Sequence, residues 1–171
     1  IDVLREMGVE FKTGVEVGKD VTIPELRKQG YDAFYLAIGA SAGRKLGLEG
    51  EDNEAVITGV DFLRNVALGK EVKLSGNVVV IGGGNVAIDV ARTAVRTGAS
   101  TVNMYCLEKR TEMPALDEEI EEAESEDIVI NNSYGPKRII VENGKVTGVE
   151  FKKCVSVFDA DGKFSPTYDE N

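Results

Sequence analysis

The sequence predicts an α/β fold of three layers, built on a parallel sheet and completed by an antiparallel β-meander. Three observations carry that reading. Val78-Val79-Val80-Ile81 is a run of four β-formers, the pattern of a strand buried on both faces. It opens a strand–helix–strand–helix–strand alternation that reaches Ile130, and such an order requires parallel strands joined by right-handed crossovers. Beyond it, Asn143-Gly144 stands between Arg138-Ile139-Ile140-Val141 and a run from Val146 to Phe151, a two-residue hairpin signal.

In chain order, residues 1–8 read as the end of a helix, with Ile1, Leu4 and Met7 at a spacing of three and Gly8 as the stop. Val9 to Val17 reads as a short strand. Thr22-Ile23-Pro24-Glu25 has the form of a capping box with proline in the first turn, so a helix runs to about Gln29 and ends at Gly30. Ala33 to Ile38 is a short apolar run between Asp32 and Gly39, the mark of a buried strand. Together these suggest a small βαβ-like unit. Residues 40–57 lack periodicity and read as an extended connector, and Asp61 to Val66 as a short helix.

After the strand at Val78–Ile81, a helix is expected from Asn85 to Thr97, closed by Gly98. Thr101 to Cys106 is the second strand, Pro114 opens an acidic helix to Ser125, and Ile128 to Ile130 is the third strand. Asp161-Gly162, between Val155–Phe158 and Phe164, suggests a second hairpin. The domain boundary implied is 1–70 for a flanking piece and connector, and 71–171 for the main domain. A chain that starts at Ile1 in mid-helix and stops at Asp169-Glu170-Asn171 reads as a piece of a larger protein.

Composition limits the chemistry. Twenty Lys and Arg against thirty Asp and Glu give a net charge of −10, which argues against a nucleic-acid partner. No apolar run reaches the roughly 20 residues of a membrane span, and no signal pattern opens the chain. The expectation is a soluble, cytoplasmic protein. Much of the acidic excess lies between Asp117 and Asp127; a solvated helix face explains it, with an acidic docking surface as the alternative. The chain has no histidine and only two cysteines. Cys106 and Cys154 form no CxxC pair, which excludes a cluster or structural zinc held by this chain alone, and both read as small buried apolar residues. Without histidine there is no Ser-His-Asp triad and no imidazole base. No catalytic side chain and no metal ligand is expected, so the chemistry falls to a bound cofactor.

The cofactor is indicated by Gly82-x-Gly84-x-x-Ala87, directly after a strand and at the opening of a helix. Gly82 permits a tight turn, Gly84 lets the backbone approach a pyrophosphate, and Ala87 keeps the helix close to the sheet. The first-turn N–H groups and the helix dipole favour an anion there. The turn from Gly82 through Gly83, Gly84, Asn85 and Val86 to Ala87 is thus the candidate phosphate site of a Rossmann-like nucleotide-binding domain. NAD(H) or NADP(H) is the expected ligand, with S-adenosylmethionine on the same architecture, or a turn that binds nothing, as alternatives. About twenty residues on, the second strand ends in Cys106-Leu107-Glu108-Lys109-Arg110. An acidic residue there binds ribose hydroxyls, whereas a basic one holds a 2′-phosphate. Glu108 is nearer the strand end and favours NAD(H); Lys109 and Arg110 keep NADP(H) open. An exposed surface carboxylate is the plainer account of Glu108.

Asn85 either caps its own helix or contacts the cofactor. Asp89 and Arg92, three apart, suit an ion pair along one helix face. Met113-Pro114-Ala115 is either a loop beside the adenosine or a plain helix start.

Taken together, Val78 to Thr93 followed by Glu112-Met113-Pro114-Ala115 resembles the pyridine-nucleotide domain of the glutamate synthase small (β) subunit family, which also takes in related NAD(P)H-dependent flavoproteins. Tyr31 to Ala40 and Gly50-Glu51-Asp52 resemble the segments that precede that domain in the same family. The resemblance covers essentially the whole chain. It implies a pyridine-nucleotide domain inserted into an FAD domain, hydride passage from NAD(P)H to FAD, and a turn at Ala37–Ala40, including Gly39, on the FAD side. Residues 1–70 would then flank the FAD domain and 71–171 would bind NAD(P). The implied partners are the rest of the FAD domain and an iron–sulfur or catalytic subunit. The resemblance also places Asp89 and Arg92 at the domain interface near the nucleotide. One departure stands out: NADPH-using members carry Tyr-Arg-Arg where this chain has Cys106-Leu107-Glu108, which favours NADH-linked relatives. A non-enzymatic NAD(H)-sensing module is the rival reading.

Overall fold

A computed structural model describes residues 1–169, in two compact units, one over residues 1–39 and the other beginning at Ala40. The first unit holds two short helices, α1 (Asp2–Glu6) and α2 (Ile23–Lys28). The capping box forms as expected: Thr22 Oγ1 accepts the Glu25 N–H, and the Glu25 carboxylate accepts the Thr22 N–H at 2.8 Å.

Neither expected strand of this unit forms. Val9–Val17 yields only a single bridge between Val17 and Val21. Ala33–Ile38 forms no regular structure and is largely exposed, with Tyr35 at 93% and Ile38 at 86% exposure. The cause is pairing. A strand needs a neighbour to take its N–H and C=O groups, and no named strand lies in residues 1–39. The βαβ-like reading is therefore corrected to helix and irregular chain.

The second unit is layered. Helix α3 (Gly59–Ala67) precedes strand β1 (Asn77–Ile81), helix α4 (Asn85–Arg96) and strand β2 (Thr101–Cys106). A 3-10 turn (Arg110–Glu112), helix α5 (Asp117–Ser125) and strand β3 (Val129–Asn132) complete this half. The three strands form a parallel sheet in the order β1-β2-β3. Strands β4 (Tyr134–Glu142), β5 (Lys145–Phe158) and β6 (Phe164–Tyr168) make an antiparallel sheet in chain order. Asn143 and Gly144 both take positive φ at the β4–β5 turn, as a tight hairpin of this type demands.

Alternation along β2 sorts the layers. Val102 and Met104 face the helices and join Ile88, Ala91, Ile120 and Ala123 in the core. Tyr105 points the other way and stacks on Phe151 of β5, ring centroids 3.9 Å apart, with Tyr134 edge-on at 6.1 Å. Ile88, Met104 and Ile120 are fully buried, each worth about 1.5–3 kcal/mol of apolar burial. The helices, the parallel sheet and the meander are the three predicted layers.

Two helix details differ from expectation. Pro114 does not start α5, because the chain bends at Pro114-Ala115 and is extended at the N-cap Leu116. The Ala115 N–H donates to Gly83 O at 3.2 Å and the Leu116 N–H to Asn85 Oδ1 at 2.9 Å, so this segment is tied to the glycine turn instead. Arg92 does not pair with Asp89. It reaches across to α5 and meets Glu119, Glu122 and Glu126 at 3.5, 2.5 and 2.8 Å, while Arg96 adds a second contact to Glu126 at 2.6 Å. The acidic helix is thus solvated on one side only; its other carboxylates clamp α4.

Candidate functional site: a glycine turn beneath the end of the second strand

The glycine turn leaves β1 where the Gly82 N–H donates to Tyr105 O at 2.9 Å, which locks the turn to β2. Gly82 has φ +141, a conformation that suits glycine alone. A side chain here would also come within 3.2 Å of Ala87 Cβ, so the small residue at 87 serves close packing as expected.

Gly83 and Gly84 divide the remaining work. Gly83 is buried, and a Cβ on it would meet Cys106 Cβ and Glu108 Oε2, both at 2.9 Å. Its lack of a side chain makes room for the protein's own β2 end. Gly84 is the open position: φ is −93, and the nearest atom to an added Cβ would be Pro114 Cγ at 3.9 Å. As the N-cap of α4 it accepts the N–H groups of Ala87 and Ile88. Asn85 and Val86 are exposed residues of the first turn, whose N–H groups have no intrahelical acceptor. A twelve-residue helix begins here with its positive dipole end bare.

Asn85 does not cap α4, which has no side-chain cap; its Oδ1 is used on the Leu116 N–H instead. A side-chain oxygen can reach another segment as readily as its own helix, and nothing local in the sequence distinguishes the two.

The structure brings Glu108 to this turn, its carboxylate lying over Gly83. Lys109 and Arg110 follow, but each is held by acids: Lys109 by Glu112 at 3.2 Å, Arg110 by Asp117 at 3.6 Å and Glu124 at 3.4 Å. Beside Glu108, Lys109 and Glu112 lies a groove of about 290 Å³ whose far wall is Val155–Phe158 of β5. Burial pushes the Cys106 thiol up to about 11, with the Glu108 carboxylate adding to the shift. A thiol of that kind is an inert packing group. Burial likewise raises Cys154. Gly39 lies in the other unit, exposed and with φ +68.

Sequence reading missed Asn132 and Ser133. Asn132 pairs with Cys106 across the β2–β3 ladder, and its side-chain amide donates to Cys106 Sγ and to Glu108 O, each at 3.2 Å. Ser133 takes φ +63 and donates its N–H to the same carbonyl at 3.0 Å. The clue available was a polar pair, Asn132-Ser133, closing an apolar strand, which by itself reads as a turn.

The family model for pyridine nucleotide-disulphide oxidoreductases matches residues 3–165. The NADPH-Fe(3+) oxidoreductase subunit beta of Geobacter sulfurreducens is 39% identical over 97% of this chain and 25% of its own length. The glutamate synthase [NADPH] small chain of Escherichia coli strain K12 is 36% identical over 87% of this chain and 34% of its own. The chain thus spans a quarter to a third of the length of these curated relatives. Among solved structures, Mycobacterium tuberculosis FprA in complex with NADPH aligns with a TM-score of 0.74 at 20% identity, over 92% of this chain and 50% of that one. That likeness supports the fold. The two relatives are named for NADPH, so the preference for NADH read from Glu108 finds no support among them.

Proposed function

Because the chain belongs to the pyridine nucleotide-disulphide oxidoreductase family, we propose that it is the NAD(P)H-binding module of a flavin-dependent oxidoreductase and presents the nicotinamide to an FAD. The observation that carries this is the glycine turn with a bare helix start at Gly84 and a carboxylate over Gly83. The turn fits a dinucleotide: its one uncrowded glycine lies where a pyrophosphate would approach the N–H groups of α4.

The residues act by position. Gly84, Asn85 and Val86 offer backbone N–H groups to the pyrophosphate, with Gly82 and Gly83 setting the path of the turn. Glu108 reads the adenosine ribose, and Lys109 and Arg110 are within the same loop for a 2′-phosphate. NAD(P)H, when bound, supplies the hydride; the chain orients it. No side chain here is assigned a proton. FAD is assigned to the remainder of the protein, with Gly39 on its side, in keeping with a chain that spans a quarter to a third of the length of its relatives. An iron–sulfur or catalytic subunit is the proposed partner, in keeping with relatives named as a beta subunit and a small chain.

The test is nucleotide binding by this chain and by Gly84→Ala. An alanine fits the protein here, so the variant should melt as the parent does, while dinucleotide binding weakens about tenfold or more because the methyl occupies the phosphate approach. NADH, NADPH and S-adenosylmethionine are compared by change in melting temperature. Equal indifference to all three, or a Gly84→Ala that binds as tightly as the parent, defeats the reading.

A further inference from the structure

The Glu108 loop is unusually well tethered for a strand end. Its carbonyl oxygen takes three donors: the Ser133 N–H at 3.0 Å, the Asn132 side-chain amide at 3.2 Å and the Cys106 thiol at 3.6 Å. Two of the three come from the β3–β4 junction. Ser133 holds a left-handed backbone at φ +63, uncommon for a residue other than Gly, Asn or Asp. That conformation turns its N–H to Glu108 while its carbonyl accepts the Cys154 N–H of β5 at 2.8 Å. One strained residue therefore joins the end of the parallel sheet to the meander. Strain of this sort persists only where the surroundings impose it.

We propose that Asn132 and Ser133 are positioning residues which fix the Glu108 carboxylate over the glycine turn and so set the affinity and selectivity for the ribose end of the dinucleotide. Neither residue touches the ligand. They act by holding the Glu108 backbone, from which the carboxylate reaches Gly83, and Asn132 also holds Cys106, the other atom set packed on Gly83. Freed of these bonds, Glu108 is a solvated carboxylate at a strand end with the rotamer freedom of any exposed glutamate. The inference rests on the assignment of Glu108 as the ribose reader.

The experiment is a double-mutant cycle on the full chain, with Kd for NADH and for NADPH as readouts. Asn132→Ala should weaken the better-bound dinucleotide about fivefold and move the NADH-to-NADPH ratio in the same direction as Glu108→Ala. The double variant should show no further change in the ratio, because a positioning residue has nothing left to position. Ser133→Val, whose β-branched side chain does not tolerate φ +63, should move the NADH-to-NADPH ratio in the same direction as Asn132→Ala, and an unchanged ratio in the folded variant removes Ser133 from the inference. Asn132→Leu, close in size but without donors or charge, repeats the measurement should the alanine variant fold poorly. Additive effects in the cycle, or an unchanged ratio in either folded Asn132 variant, overturn the inference while leaving the functional reading intact. A parent chain that binds neither dinucleotide overturns the functional reading instead, and this inference with it.

Discussion

Val78–Ile81 and Ala33–Ile38 are both short apolar runs bounded by turn residues, yet only the first becomes a strand. Each residue of Asn77–Ile81 has a partner in β2, from Asn77 opposite Thr101 to Ile81 opposite Tyr105. The second run has none, and Leu36 is left 76% exposed. The difference lies in the neighbours rather than in the residues. A β-run states a readiness to pair; the sheet is made by whatever else the same compact unit supplies.

This contrast can be tested at several strengths. The largest effect is expected at the helix–sheet core: Ile88→Ala should cost about 2–5 kcal/mol of stability, read by denaturant unfolding. Leu36→Ala should stay within about 0.5 kcal/mol in the same measurement. A comparable loss at both sites would mean that the Ala33–Ile38 run is covered in solution.

Next comes thiol chemistry at the β2 end. Cys106, raised from 9.0 to about 11, should react with a thiol reagent about 100-fold more slowly at pH 8 than a thiol at the ordinary value, since only thiolate reacts. The rate should climb up to pH 11, as peptide mapping that separates Cys106 from Cys154 can follow. The sign for stability runs opposite to that of a paired carboxylate. Folding favours the protonated thiol, so this contribution is complete below pH 9 and is lost between 9 and 11. A Cys106 that labels freely at pH 8 would place the β2 end in the open.

A smaller effect belongs to the α4–α5 clamp. Arg92→Ala should lower the melting temperature, and added salt should recover part of the loss, because three carboxylates left without their common cation repel one another and salt screens that repulsion. The smallest change is local to residues 1–39. Thr22→Ala removes a capping box and should weaken α2 by about 1 kcal/mol, seen as faster amide exchange at Glu25 and Leu26.

What the sequence made legible was governed by local rules. β1, the glycine turn, α4 and β2 lie together in a strand–turn–helix–strand order, and Asn143-Gly144 announces its hairpin by dipeptide chemistry alone. Glu108 could be named because its distance from the turn is fixed by the length of one βαβ unit. Arg92 could not be assigned its partners: they stand 27, 30 and 34 residues downstream on another helix, and its near neighbour Asp89 offered an equally good local pair. Asn85 misled for the same reason, since its bond to Leu116 spans 31 residues. Asn132 and Ser133 were invisible because their role depends on a ladder register between β2 and β3 that no periodicity reveals.

The connector of residues 40–57 is drawn into a loop by one carboxylate. Glu51 gathers the N–H groups of Leu46, Gly47 and Leu48 at 2.7, 2.7 and 3.2 Å, and those bonds, led by Leu46, hold its carboxyl below the usual range. The loop so formed lays the Glu49 carbonyl against the Ile139 N–H at 2.9 Å, with Gly50 pressed on the same residue. Ile139 belongs to β4, one of the two outer strands of the meander and the one that carries Ile139-Ile140-Val141. An outer strand of that composition is a template for pairing with a second chain, and nature blunts such edges by covering them. With the Ile139 N–H already taken by Glu49, this edge is closed to a second chain at that position, and Glu51→Gln should raise self-association, as light scattering can follow.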